Sequence, residues 1–280
     1  MYKTINPKEV KTAELHQILL STVAPRPIAF VSSINKNGVN NLAPYSFFNC
    51  FSSKPPILVF SSNRKVKDNS TKHTLINAQH NKELVINIVS YDIVRQMALT
   101  SIEYDETISE FNKAGLTPLS SQLVKAPRVA ESIVNYECKV NDIIALGKEG
   151  GAGHLVICEV QLIHINKNIF DDEGKIDPQK TQLVARMGRA FYCKAFGENV
   201  FPIVQPVNQA AIGWDALPDN IKKSKILSGN DLAKLAGLKT LPTAHIIQTT
   251  FAGTETEKHQ KVKTLLAQNF VEQAWQLILQ

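Results

Sequence analysis

The chain has 280 residues, 44% of them hydrophobic, enough to bury a sizeable core in one large domain or two small ones. Its formal net charge of +6 comes from scattered Lys and Arg with one cluster, Lys222 to Lys225, which reads as a solvated basic surface rather than a nucleic-acid footprint. No apolar run reaches the roughly 18 residues of a membrane-spanning helix. The N-terminus also lacks a basic-then-apolar leader, so a soluble cytoplasmic protein with neither membrane nor nucleic-acid partner is expected.

A short helical segment opens the chain, with Ala13, Leu15, Ile18 and Leu19 as a partial stripe and Thr12 as its expected cap. Pro25-Arg26-Pro27 then leads into a strand over Ile28 to Ile34, because prolines cannot donate to a ladder and favour strand entries. Asn37-Gly38 is a hairpin signal, and the return strand is expected from Val39 to Phe48 with a break at Pro44. Lys54-Pro55-Pro56 stops the next piece, and Ile57 to Phe60 reads as a buried strand. A polar loop follows to Ser70. Ser70 or Thr71 is placed to cap a helix from about Lys72, and Leu84 to Val89 reads as the next strand. Tyr91 to Leu99 and Ser109 to Lys113 read as helices.

Ile133 to Leu146 and His154 to Ile165 alternate as two long strands around a glycine-rich turn, and a last strand begins at Leu183. From about Gln205 the chain changes character. It carries Pro206, Pro218 and Pro242, then one amphipathic helix predicted over Glu255 to Leu279, read as core or subunit packing rather than a membrane-surface helix. The four cysteines, at 50, 138, 158 and 193, form no CxxC pair; they read as buried free thiols, and no metal site is expected. Short hairpin-linked strands dominate residues 25 to 190. The expected fold is therefore mainly β with flanking helices, a Greek-key or split barrel plus a helical C-terminal tail. The expected domains are 1–204 and 205–280. A Rossmann fold is disfavoured, since no GxGxxG follows a strand.

The stretch from Ser61 to Thr74 has the makings of an anion site. Ser61 and Ser62 leave a strand end, Arg64 brings a fork suited to phosphate oxygens, and Lys72 and Thr74 lie in the first turn of a helix. Ordinary surface polar residues and caps would give the same pattern.

The pieces VAPRPIAFVSS, NLAPYSFFN, PPILVFSS, ELVINIVS, GAGHLVICEV and RMGRAFY, in this order over residues 25 to about 192, resemble the flavin reductase-like family, whose members bind FMN in a split β-barrel. The family's Lys-Asp-Thr-Leu-x-Asn string stands here as Lys72-His73-Thr74-Leu75-Ile76-Asn77, with His73 in place of the acid. The resemblance implies flavin contacts at Arg26 and Pro27, at Ala43, Pro44, Tyr45, Ser46, Phe47 and Asn49, at Ser61, Ser62 and Arg64, and at Lys72, Thr74 and Asn77. Ala43 to Tyr45 would offer backbone groups to the polar edge of the ring, and Ser46 a hydroxyl; for Phe47, packing in the core is an equal alternative. His154, which directly follows Gly151-Ala152-Gly153 where the family has a Gly-x-His context, is implied as a proton donor or polar clamp on the nicotinamide side, although a His at a strand start also serves as a structural hydrogen-bonder. Arg186, Arg189 and Tyr192 resemble the family's final string and are expected to reach a neighbouring subunit's site.

The implied function is an FMN-binding oxidoreductase that takes hydride from NADH or NADPH and acts as a flavin reductase, in a homodimer. The alternative within the same family is a flavoredoxin-like FMN electron carrier reduced by a partner protein. A barrel of the pyridoxamine-phosphate oxidase type fits the loops less well. Residues after 205 lie outside the resemblance.

Overall fold

The computed structural model describes residues 1–203, 210–242 and 251–280. They fall into two compact units, Met1–Phe201 and Pro202–Gln280. The expected boundary at 204/205 and Pro206 lie outside the described residues. Among those residues no helix is long and apolar enough to cross a membrane.

The first unit opens with α1 (Thr12–Thr22) and continues through β1 (Ala29–Ile34), β2 (Asn40–Tyr45), β3 (Phe48–Ser53), β4 (Pro56–Asn63), α2 (His73–Asn81) and β5 (Glu83–Ile88). Two short helices follow, α3 (Val94–Leu99) and α4 (Glu110–Ala114), then a two-residue ladder of β6 (Pro118–Leu119) and β7 (Arg128–Val129). The long hairpin of β8 (Val134–Ala145) and β9 (Gly153–Ile165) comes next. After α5 (Pro178–Thr181), a small ladder of β10 (Leu183–Arg186) and β11 (Tyr192–Ala195) closes the unit.

Seven strands form one antiparallel sheet in the order β2-β1-β5-β8-β9-β4-β3. The edge strands β2 and β3 are consecutive in the chain, separated by Ser46 and Phe47. The sheet therefore has to curl until its edges approach, and the chain itself, not a ladder, spans the seam. Two bulges in the β8–β9 ladder, one with Gln161 as the extra residue of β9 opposite Glu137/Cys138 and one with Asn141 as the extra residue of β8, supply local twist. The predicted strand over 39–48 is thus two strands with a corner at Ser46 and Phe47; the break expected at Pro44 is not there, since Pro44 stays in β2 opposite Phe30.

Both faces of β1 are buried. Ala29 and Val31 join Tyr45, Phe60, Leu75, Leu84, Cys138 and Val156 in the barrel interior. Ile28 and Phe30 pack outward on Leu42, Ile93, Met97 and Phe111, under α3 and α4. This two-sided burial explains a continuous apolar run where a half-exposed strand would alternate. Cys138 and Cys158 are buried free thiols, whereas Cys50 is exposed and Cys193 only half-buried, against the expectation for both. Cys50 lies on edge strand β3, whose far side has no ladder partner among the described residues.

The second unit is helical: α6 (Asp219–Lys222), α7 (Gly229–Ala236), α8 (Glu255–Ala267) and α9 (Val271–Ile278). The single helix predicted over 255–279 is two, because Asn269 adopts a left-handed conformation (φ 60°) and turns the chain. Their apolar faces meet around Trp275, which is fully buried and donates its indole N–H to the Leu235 carbonyl at 3.0 Å.

Candidate functional site

A cleft of about 370 Å³ opens where the link between β2 and β3 passes the end of β4. It is lined by Pro44, Tyr45, Ser46 and Phe47, by Ser61, Asn63 and Arg64 with the following Lys65, and by Lys72. Ser61 N–H donates to Phe47 O at 2.8 Å, which ties the first two segments together. A third side is α1, which presents Thr12, His16 and Leu20, spaced four apart and so on one helical face. Gly151, from the turn between β8 and β9, also reaches the cleft.

The cationic end is pre-organised. The Arg64 backbone is tied to that turn, with Arg64 N–H donating to Ala152 O at 2.8 Å and Gly151 N–H to Arg64 O at 3.0 Å. Its guanidinium donates from Nε to Asn69 Oδ1 and from Nη2 to Asn69 O, both at 2.6 Å. Two of its five N–H groups are thereby used to orient the fork, and the others stay available. Lys72 is the N-cap residue of α2, and no side chain caps that helix; neither Ser70 nor Thr71 takes the predicted role. Burial lowers the Lys72 pKa, and its Nζ lies 5.3 Å from the centroid of the Tyr45 ring.

Beneath this surface lie polar groups without partners. The Tyr45 hydroxyl and Ser62 Oγ are buried and make no hydrogen bond among the described residues. The Tyr45 hydroxyl sits beside the Thr74 and Ser62 hydroxyls without meeting hydrogen-bond geometry, and burial pushes its pKa up to about 12. Thr74 Oγ1 instead donates to Asn41 Oδ1 at 2.8 Å. That contact opens a buried network: Asn41 Nδ2 donates to Glu110 Oε1 at 3.0 Å, Leu42 N–H to Glu110 Oε2 at 2.9 Å, and Asn77 Nδ2 to Ser33 Oγ at 3.0 Å. Burial raises the Glu110 pKa.

Two smaller recesses adjoin the cleft. One, of about 200 Å³, shares Pro44, Tyr45, Lys65 and Lys72 with it and adds Ala43, Thr74, His73 and the segment from Thr100 to Tyr104. His73 lies close enough to Asp105 and Glu110 for its charge to favour both carboxylates. The other, of about 140 Å³, is bounded by Ile28, Pro44, Ser46, Met97, Arg186 and Tyr192.

Of the residues singled out in the sequence, Arg26, Pro44, Tyr45 and Ser46 line the main cleft, as do Phe47, Ser61, Arg64 and Lys72. Ala43 and Thr74 line the adjoining recess. Arg26 is 5% exposed, and its guanidinium is committed to main-chain carbonyls: Nη1 to Leu20 and Val23 at the end of α1, Nη2 to Met187 at 3.1 Å. Ser62 points into the barrel, and His154 lies opposite it in the β4–β9 register, 7% exposed, with Nδ1 3.3 Å from Ser62 O. Neither lines the cleft. Pro27 and Asn49 are exposed beyond its walls, and Asn77 belongs to the buried network. Arg186 and Tyr192, expected to reach a neighbour, bound recesses of their own chain's site. Sequence reasoning missed the Thr12–His16–Leu20 face; its four-residue spacing was the available signal, masked by the apolar stripe beside it.

Residues 21–181 match the family model described as a flavin reductase like domain. Over 192 residues the chain is 40% identical to an uncharacterized protein of Aquifex aeolicus, covering 68% of this chain and 95% of that one. Among solved structures, nitrilotriacetate monooxygenase component B from Bacillus cereus is similar with a TM-score of 0.67 at 31% identity, covering 72% of this chain and 99% of that chain. The 2-nitrobenzoate 2-nitroreductase of Pseudomonas fluorescens gives 0.66 at 26% identity, covering 75% and 100%.

Proposed function

Because this chain belongs to the flavin reductase-like family, we propose that it holds FMN in the main cleft and passes electrons from NADH or NADPH through it to an acceptor. The observation that carries this reading is that Ser61, Arg64 and Lys72 line the same cleft as the end of β2, Pro44 and Tyr45, and the Ser46–Phe47 link that follows it. The residues fit the group. Two cations, a hydroxyl and the uncapped first turn of α2 suit a phosphate. The buried, unpartnered Tyr45 hydroxyl beside them is a donor without an acceptor. The volume lies within the about 300–1,000 Å³ typical of ligand pockets.

Bound flavin supplies the hydride-accepting chemistry; the chain supplies placement and electrostatics. Ser46 offers a hydroxyl to the ring edge, α1 covers the cleft from the side, and Arg26 fixes the end of α1 to the strand entry. Burial of His154 and its contact with Ser62 O favour a positioning role for it, holding the end of β4 behind Ser61. A homodimer, as in the resemblance, belongs to the same proposal.

The test is the visible spectrum of the purified chain under anaerobic conditions before and after NADH or NADPH. A flavin spectrum that bleaches within seconds supports the reductase and identifies the donor. A flavin spectrum that neither nucleotide bleaches gives the electron-carrier reading instead. No flavin, with none taken up from added FMN, overturns both. Light scattering at micromolar concentration tests the dimer.

A further inference from the structure

Helix α1 borders the cleft without joining a core: none of its 11 residues is buried. Its two ends are held differently. At the C-terminal end, Arg26 Nη1 donates to Leu20 O and Val23 O, and Nη2 to Met187 O. Arg26 is itself fixed across an antiparallel bridge: its N–H donates to Arg186 O at 3.0 Å, and Arg186 N–H to Arg26 O at 2.9 Å. Ser21 packs on Gly188, where an added Cβ would come within 2.8 Å of Ser21 Cα. At the N-terminal end no side chain caps the helix, and Thr12 meets Gly151, where a Cβ would lie 3.1 Å from Thr12 Cγ2. Among the described residues, no hydrogen bond or salt bridge joins residues 1–19 to the chain beyond Val23. Thr12 lies about 13 Å from Ser21 along the helix, so a small rotation about the held end moves it far.

His16 stands between the two ends and lines the cleft, half-buried, with its ring edge-on to Phe47: the centroids are 6.1 Å apart and the planes 83° to each other. Its imidazole makes no hydrogen bond among the described residues, unlike those of His154 and His164. Phe47 belongs to the two-residue link between β2 and β3, so this contact shuts α1 onto the seam of the barrel. The charges give the closure a ligand dependence. Arg26, Arg64, Lys65, Lys72 and Arg186 line the cleft, and no carboxylate does. Glu14, the acid in the first turn of α1, is exposed and outside the lining. An anion in the cleft therefore favours approach of the positive N-terminal end of α1, which the cations alone oppose. We propose that α1 is a gate pivoting on its Ser21 and Arg26 end, and that His16 is both its latch on Phe47 and its contact with the ligand. The identity of that ligand rests on the flavin reading; the pivot does not.

The probe is FMN. Its association with the full chain and its release are followed by stopped-flow flavin fluorescence, beside equilibrium titration by calorimetry. His16→Ala should quicken association and release alike, each severalfold, because a latch opposes entry as well as exit. Alanine is the better helix former, so α1 itself is kept. His16→Phe keeps a ring on Phe47 and loses the polar atoms; association should stay at the wild-type rate while release quickens, which separates the latch from the ligand contact. Faster release in His16→Ala with association unchanged makes α1 a fixed wall and overturns the gate. Both rates unchanged removes His16 from the cleft's function and overturns the whole proposal. FMN binding by the wild type with either of those results leaves the flavin reading standing. If calorimetry detects no FMN binding to the wild type, the flavin reading falls and the ligand role of His16 falls with it.

Discussion

Lys72 Nζ stands 5.3 Å from the centroid of the Tyr45 ring, so a cation that lines the cleft rests on the aromatic side chain whose own hydroxyl is buried without a partner. Burial makes this ammonium easier to deprotonate, and a phosphate dianion would restore its preference for the charged form. Lys72→Ala should weaken FMN binding by about 10- to 100-fold, the range implied by about 1.5–3 kcal/mol for a hydrogen bond to a charged group. Fluorescence titration of FMN measures it, and an unchanged dissociation constant would remove Lys72 from the phosphate site.

Tyr45→Phe separates stability from binding. The buried hydroxyl has lost water and gained no partner, a cost of about 1–3 kcal/mol. Deleting it should raise the unfolding midpoint of the ligand-free chain while lowering its affinity for FMN. Thermal unfolding with and without FMN reads both. Should affinity hold while stability rises, the hydroxyl has no ligand to serve.

Glu110 carries the pH dependence. Burial raises its folded pKa above the ordinary 4.5, against the pull of bonds from Leu42 N–H and Asn41. The folded chain then holds this proton more tightly than the unfolded chain. The group subtracts stability above its folded pKa, and the deficit shrinks as pH falls from neutral toward 4.5. Glu110→Gln removes the titration. Urea denaturation of both proteins across that window should show wild type gaining on the variant as pH drops; a constant difference, or one of opposite slope, would contradict the assignment.

Gly153 leaves no room for a side chain. A Cβ there would lie 2.5 Å from Ser61 Oγ and 3.3 Å from Asn63 Oδ1. Gly153→Ala should therefore turn the Ser61 hydroxyl and weaken FMN binding severalfold with a smaller loss of stability. Adding Ser61→Ala should recover the stability but not the affinity. If the single variant binds FMN like wild type, Ser61 is not a ligand contact.

The barrel was legible because its strands carry strong local signals. Asn37-Gly38 marks the first hairpin, and alternation in 133–146 and 154–165 marks the long one. What failed was anything set by orientation alone. The glycine turn before His154 says nothing about which face that residue takes; pairing with Ser62 decides that, and it turns the ring inward. The helix break at Asn269 has neither Pro nor Gly to announce it. The start of α7 did have a signal, since Ser228 and Asp231 form a capping box at that end and Leu232, Leu235 and Ala236 share a buried face, but the helix is only two turns long. In the site, cations and hydroxyls near a strand end could be read directly. The four-residue face of α1 and the Arg26–Arg186 bridge needed the third dimension.

The seam between β2 and β3 also bears on time. Strands elsewhere in the sheet part only by breaking ladder bonds, whereas among the described residues no ladder joins these two edges. Opening at the seam is thus the least expensive way for the barrel to breathe, and it happens beside the cleft. A ligand seated there can exchange on the clock of that local opening rather than on the clock of unfolding, so amides of β2 and β3 should exchange with solvent sooner than those of β5 and β8.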